Sequence, residues 1–517
     1  MKNLIYLLLL SVTLISCSEQ KPVKFITLTS NSEDAKNAFM EGVLRDDQNE
    51  VNESKVAFKK ATELDNDFLI AKVFYNSGIP SVQRENLIYA YENREKVSDI
   101  EKKIIEANYQ MQIYGEYNKA IEIFDSLIFQ YPDIPFLYER TANMKAFNKN
   151  FDQAISYWKK ALELNPNSYF SALRLGLLNV TVGTEFMPLP EDKRDLEEGK
   201  KWLKLASEIR PNASATPRFL GNIYRAELEL DKALAAYKLA LTKNTEKTSQ
   251  LMEQNLMVAH TLNAMGKYES AREAYSETIK LSVDNYWWAI NHNYYAMSLL
   301  AEKKYDEAIR FLSQAQIDLM KIDDSKEVLE WGYSRIEFLK WLIISHSQRK
   351  EESMAAMNIL NEKSKNDLDL SLNTALDKKE IEKLERNYAM TVLFRQAWSD
   401  ILFGEYDSAR TSLDKMYAVQ KIRVDENLDA LNQYHALSGY LNLMEGNIGE
   451  SLSMYEKRLE RGDMGEYHNY FYALTLKASG NQEKSKEIFV NLANSPFVNW
   501  TIALVKNLAK DQIKTNL

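Results

Sequence analysis

Tyr117, Ala120, Phe124 and Pro132 return 34 residues later as Phe151, Ala154, Trp158 and Pro166. Ala154, Trp158 and Ala161 fall at i, i+4 and i+7, so they share one helix face, and Pro166 stops that helix just past its end. A short helix with one apolar stripe is stable only against a neighbour that covers the stripe, and a repeated lettering supplies such a neighbour again and again. The period therefore constrains the chain to stacked helical hairpins rather than to a row of independent globular domains. Leu175-Gly176 stands 34 residues after Thr141-Ala142, but Gly199, Leu203, Ala206 and Pro211 lie 45 after Ala154, Trp158, Ala161 and Pro166. Eleven residues are thus inserted between the two helices of that unit, near 182–192, and the two prolines there predict a loop.

The best single unit reads Leu220-Gly221, Tyr224, Leu230, Ala233, Tyr237, Ala240. This lettering resembles the tetratricopeptide repeat, W-x2-L-G-x2-Y followed by A-x3-F and P. The resemblance implies an all-α solenoid, a right-handed superhelix of antiparallel helix pairs. The pattern predicts an array over 31–316, degenerate near 67–97 and interrupted by the 182–192 loop. It loses register over 317–378, which reads as an irregular helical segment with a loose polar stretch around 364–373. A second block over 379–517 resumes with Ala397, Gly404, Tyr406 and Ala409. It ends in a capping helix from about 499, with Trp500, Leu504 and Leu508 on one face and Lys506, Asn507, Lys510 and Asp511 on the other. Only 16 glycines and 10 prolines occur in 517 residues, which disfavours loop-rich and all-β folds.

The amino terminus carries a different signal. Lys2 precedes an apolar run from Leu4 to Ile15, too short to span a bilayer and of the length of an export signal. It leads into Leu14-Ile15-Ser16-Cys17, which resembles a bacterial lipobox. The resemblance implies a signal peptide over 1–16, acylation of Cys17 and a lipidated tether over 17–30, as in envelope repeat proteins of Bacteroidetes. Ser18 in place of Asp implies sorting to the outer membrane, with the periplasmic and surface faces both open. An ordinary signal peptide with a chance cysteine is the alternative.

Acids outnumber bases, 74 to 65, and no basic stripe follows a phosphate backbone, so nucleic acid is not an expected partner. The five histidines fall at no metal-binding spacing, and no phosphate loop or nucleophile elbow occurs. Ser156-Tyr157-Trp158-Lys159 matches S-x-x-K but lies inside a repeat helix that packing explains. The sequence thus predicts no enzyme, no metal and no cofactor. Binding is the expected role. By the resemblance, the first helix of each pair lines a concave groove, and the groove positions fall on Phe136, Phe170, Arg218, Asn222, Arg225, Asn293 and Trp398. Arg218 and Asn222 match half of the clamp that holds a carboxylate terminus in chaperone-binding relatives. Met257, Ile290 and Tyr294 stand where its other residues belong, so that role is not expected. The aromatic cluster over 286–295 reads as buried seam or as groove. The leading expectation is a lipid-anchored, non-catalytic scaffold of the cell envelope that takes a protein or peptide. Two alternatives stand beside it: a glycan-binding lipoprotein resembling the SusD family, which the low glycine and proline content disfavours, and a detached sensory module.

Overall fold

The computed structural model describes residues 23–514 apart from 49, 180–188, 190–192, 244–247, 283, 426 and 428. Among the described residues the regular structure is helical throughout. The first pairs are α1 (Glu33–Asp47) with α2 (Val51–Leu64), α3 (Leu69–Phe74) with α4 (Pro80–Glu92), and α5 (Asp99–Tyr109) with α6 (Tyr117–Gln130). Then come α7 (Pro135–Phe147) with α8 (Phe151–Leu164), α9 (Tyr169–Leu178) with α10 (Leu196–Ile209), and α11 (Ala215–Ala226) with α12 (Leu230–Thr242). Next are α13 (Thr248–Ala264) with α14 (Tyr268–Lys280), α15 (Asn285–Ala301) with α16 (Tyr305–Leu319), and α17 (Lys326–His346) with α18 (Lys350–Asn373). The last are α19 (Lys378–Leu402) with α20 (Tyr406–Gln420), α21 (Asn432–Met444) with α22 (Ile448–Leu459), and α23 (Gly465–Ala478) with α24 (Gln482–Asn494), closed by α25 (Trp500–Lys514).

One contact explains why these sequences pair. A small residue in the first helix meets a large one in the second, 16 positions on, as in Gly42 with Phe58, Gly221 with Tyr237 and Gly439 with Tyr455. A Cβ placed at Gly42 or Gly221 would lie 2.6 Å from the opposing ring, so the two backbones approach as closely as that ring allows. Gly176 makes the same contact with Leu203, 27 positions on, which is the common spacing lengthened by the eleven inserted residues. The insert itself lies outside the described residues except for Leu189, which is buried against α9 and α8. The turn inside each pair is equally regular. The residue two places before the second helix has positive φ, whether glycine, as at Gly266 and Gly404, or not, as at Lys149, Leu228, Lys303 and Gln348.

Four expectations need correction. The segment 317–378 is not irregular: α17 and α18 form an ordinary pair lengthened to 21 and 24 residues. The stretch 364–373 that looked loose is the second half of α18, held by buried Leu368. Array and second block are therefore continuous across that span. Of the expected tether, residues 23–30 lie on the array. Phe25 packs on Phe136 with ring centroids 4.9 Å apart, Ile26 is buried, and the Thr29 amide donates to Glu101 of α5 over 2.9 Å. Cys17 and the signal segment lie outside the described residues. Finally, α25 covers α24 as a terminal helix should, but its polar side is not turned to solvent. Asn507 donates to the carbonyls of Leu300 and Ala301 at the end of α15, and Trp500 and Leu504 reach the core beneath α15 and α17.

That return of α25 is one of several contacts that close the coil. Arg84 of α4 makes a two-pronged ion pair with Glu380 of α19 and donates to the Thr374 carbonyl. Ser81 donates to Glu327 over 2.7 Å and Tyr114 to Asp377 over 2.6 Å, while Lys379 pairs with Glu116 and Lys383 donates to the Ile113 carbonyl. Lys149 in the α7–α8 turn pairs with Asp429 at 2.7 Å. The α17–α19 region thus lies on α4 and on the π-helical turn Gln110–Tyr114 that follows α5.

Candidate functional site

The seven residues expected to line the groove all sit on first helices of their pairs, and all are buried, none more than 7% exposed. They belong to separate parts of the core rather than to one continuous surface. Phe136 and Phe170 come together through Arg140, whose guanidinium lies 4.9 and 5.6 Å from their ring centroids. Arg140 also pairs with Asp46 at 2.7 Å and Asp47 at 3.3 Å across from α1. Beside it Glu139 accepts from Ser168 at 2.5 Å and Ser171 at 3.0 Å, and burial raises the pKa of its carboxyl. This charged cluster fills the space where an extended ligand would run.

Arg218, Asn222 and Arg225 share one face of α11, at i, i+4 and i+7. Arg218 pairs with Glu253 of α13, and Asn222 accepts from the Tyr237 hydroxyl over 2.6 Å. Arg225 lies 5.4 Å from the ring of Phe497, in the segment just before α25. Asn293 donates to the Arg335 carbonyl over 3.2 Å. Trp398 donates to the Tyr467 hydroxyl over 2.8 Å, and that hydroxyl also meets His346 Nε2 at 3.0 Å. Burial holds the His346 imidazole down to about 4, so it is neutral at ordinary pH. The inner positions were legible as one face of each helix, but their occupants come from elsewhere in the same chain. The 286–295 cluster is largely seam: Tyr295 stacks on Phe311 at 4.1 Å, Tyr294 meets His260 at 4.5 Å, and Tyr286, which is 45% exposed, stacks on Trp331.

The structure adds a feature the repeat pattern does not signal. A polar cavity of about 330 Å³ opens where the α1–α2 turn meets the α10–α11 loop and α13. Arg210, Arg218 and Lys243 contribute its positive groups, and Glu50 and Glu253 its negative ones. Its walls come from residues about 160 positions apart, and Arg210 beside Pro211 reads in sequence as no more than a helix end. Among the described residues no three of His, Cys, Asp and Glu gather as metal ligands, and no helix is long and apolar enough to cross a membrane.

Residues 138–168, which run from α7 through α8, match the family model for the tetratricopeptide repeat. The crystal structure of a tetratricopeptide repeat protein from Parabacteroides merdae is similar at 18% identity, over 55% of this chain and 94% of that one, with a TM-score of 0.33. No curated protein matches the sequence. Together with the helix pairs above, the matched repeat makes the chain an all-α tetratricopeptide-repeat solenoid. Repeats of this kind suggest a protein–protein interaction scaffold and are typically non-catalytic.

Proposed function

We propose that the chain is a lipid-anchored, non-catalytic scaffold of the cell envelope that holds a protein partner. The repeat array carries this reading, because stacked helix pairs generate extended surface. The anchor rests on sequence: an apolar run of export length leading straight into Leu14-Ile15-Ser16-Cys17 supports acylation of Cys17 and placement at the outer membrane. Several acyl chains on one residue hold a protein where a single chain would release it. The partner meets faces other than the seven buried inner positions, whose groups are engaged within the chain.

The experiment is purification from native membranes of the wild type and of Cys17→Ala, with intact mass and detergent partitioning measured on both. The wild type should enter the detergent phase, begin at Cys17 with added acyl mass, and retain a protein partner in fixed ratio. Cys17→Ala should lose the acyl mass and the partitioning. Identical mass and partitioning for the two chains rule out the anchor. Retention of a glycan with no protein replaces the scaffold by carbohydrate capture.

A further inference from the structure

The cavity between the α1–α2 turn and α11 has more hydrogen-bond donors and positive charge than its own acids use. Glu50 is shared between Arg45, at 2.7 Å, and Arg210, at 3.7 Å, while Glu253 is engaged by Arg218. Arg210 therefore holds the weaker share, and among the described residues its buried Nη1 has no hydrogen-bond partner. The same is true of Oε1 of Gln254, a residue only 2% exposed that lines the cavity. A buried guanidinium nitrogen without an acceptor is costly unless something fills the role.

The α11 amino terminus adds to this. Ser214 gives its first turn no side-chain cap, and that turn holds no acid, so the positive end of the helix faces the cavity uncompensated. A guanidinium fork, an ammonium at Lys243 and a helix amino terminus around one polar space match the two-oxygen geometry of a carboxylate or phosphate. The Gln254 amide can accept from a ligand hydroxyl or, turned over, donate to its oxygen. At about 330 Å³ the space suits a small molecule. We propose that this cavity is a binding site for a small oxyanion ligand, one bearing a carboxylate or phosphate group. The site lies at one edge of the array and is separate from the inner positions Asn222 and Arg225.

The test is calorimetric titration of the full-length protein with two probes, inorganic phosphate and glutarate. At least one probe should bind in 1:1 ratio at roughly millimolar concentration or below. Arg210→Gln should weaken that binding about tenfold. Asn212→Trp, a change at an exposed residue on the cavity rim, should abolish it by blocking the mouth while leaving the melting curve unchanged. Lys267→Gln, an exposed residue that does not line the cavity, should leave it unchanged. Binding of glutarate alone assigns a carboxylate ligand, binding of phosphate alone a phosphate ligand, and binding of both the shared chemistry. Absence of binding by either probe overturns the proposal, as does affinity that survives Asn212→Trp. Asn212→Trp decides the matter should Arg210→Gln fail to fold.

Discussion

Replacing Gly221 by alanine tests the packing contact on which every repeat depends. The added Cβ would lie 2.6 Å from Tyr237 Cε1 and 2.8 Å from its Cδ1, well inside van der Waals contact. Tyr237 has nowhere to go: it is fully buried, and its hydroxyl is tied to Asn222 at 2.6 Å. Overpacking of this kind costs about 1–3 kcal/mol, and so deep an overlap with a pinned ring belongs at the upper end. Alanine returns about 1 kcal/mol of helix propensity, which leaves a net loss of about 2 kcal/mol. With about 2.1 cal/mol/K of unfolding entropy per residue, a chain of this length loses about 2 °C of melting temperature. Scanning calorimetry reads that shift, and hydrogen exchange should place the loss of protection on α11 and α12, since repeat arrays open locally. Tyr237→Leu in the same chain should relieve the clash and remove most of the penalty of the alanine. Gly449 in α22 has nothing within 4 Å of its added Cβ, so Gly449→Ala should raise stability by up to about 1 kcal/mol. Shifts of the same sign for Gly221→Ala and Gly449→Ala would refute the close-approach reasoning.

Leu228 holds φ of 61° in the α11–α12 turn and is 51% exposed, so Leu228→Gly should stabilise the chain by about 1 kcal/mol in urea unfolding. A loss of stability would show that the side chain matters more than its backbone strain. Arg84→Ala leaves Glu380, whose side chain is 4% exposed, without its ion-pair partner, and removing one member of such a pair costs about 3–5 kcal/mol locally. Hydrogen exchange should quicken over 110–116 and 374–383; unchanged protection in both would contradict the contact. Burial holds His292 and His346 down to about 4 and His468 to about 3, below the ordinary 6.5. Unfolding releases these imidazoles to bind protons, so their contribution is complete above about pH 6.5 and is lost as pH falls towards 4. His346→Asn should make the melting temperature less steep in pH across that window, and an identical slope would count against the neutral buried imidazole.

The helix pairs were legible because one 16-residue relation, small residue to large residue, recurs from Gly42 and Phe58 to Gly439 and Tyr455. The same relation located the eleven-residue insertion, since Gly176 and Leu203 keep their contact at a longer spacing. The α17–α18 pair was harder to read because its helices are longer, so the 34-residue period no longer applies although the pairing does. Periodicity says which face of a helix points inward but not what comes to cover it. Phe136 is covered by Phe25 from far upstream and Arg225 by Phe497 from far downstream, and neither partner carries a repeat signature. Arg84 and Glu380, 296 residues apart, look in sequence like ordinary surface charges. The cavity was invisible for the same reason, its two guanidinium groups meeting Glu50 only through the curvature of the whole array.

Closure of the coil decides whether the inner side chains are core or open groove, and one cross-linking measurement reads it directly. Cys17 is the only natural cysteine, so Cys17→Ser gives a clean background for Ser81→Cys with Glu327→Cys, two positions joined by a 2.7 Å hydrogen bond. A short bifunctional maleimide should link that pair within the monomer, while Ser81→Cys with Lys267→Cys should stay unlinked. Two free, singly labelled thiols in the first pair would mean that the coil is open and that Phe136, Arg225 and Trp398 line an accessible groove.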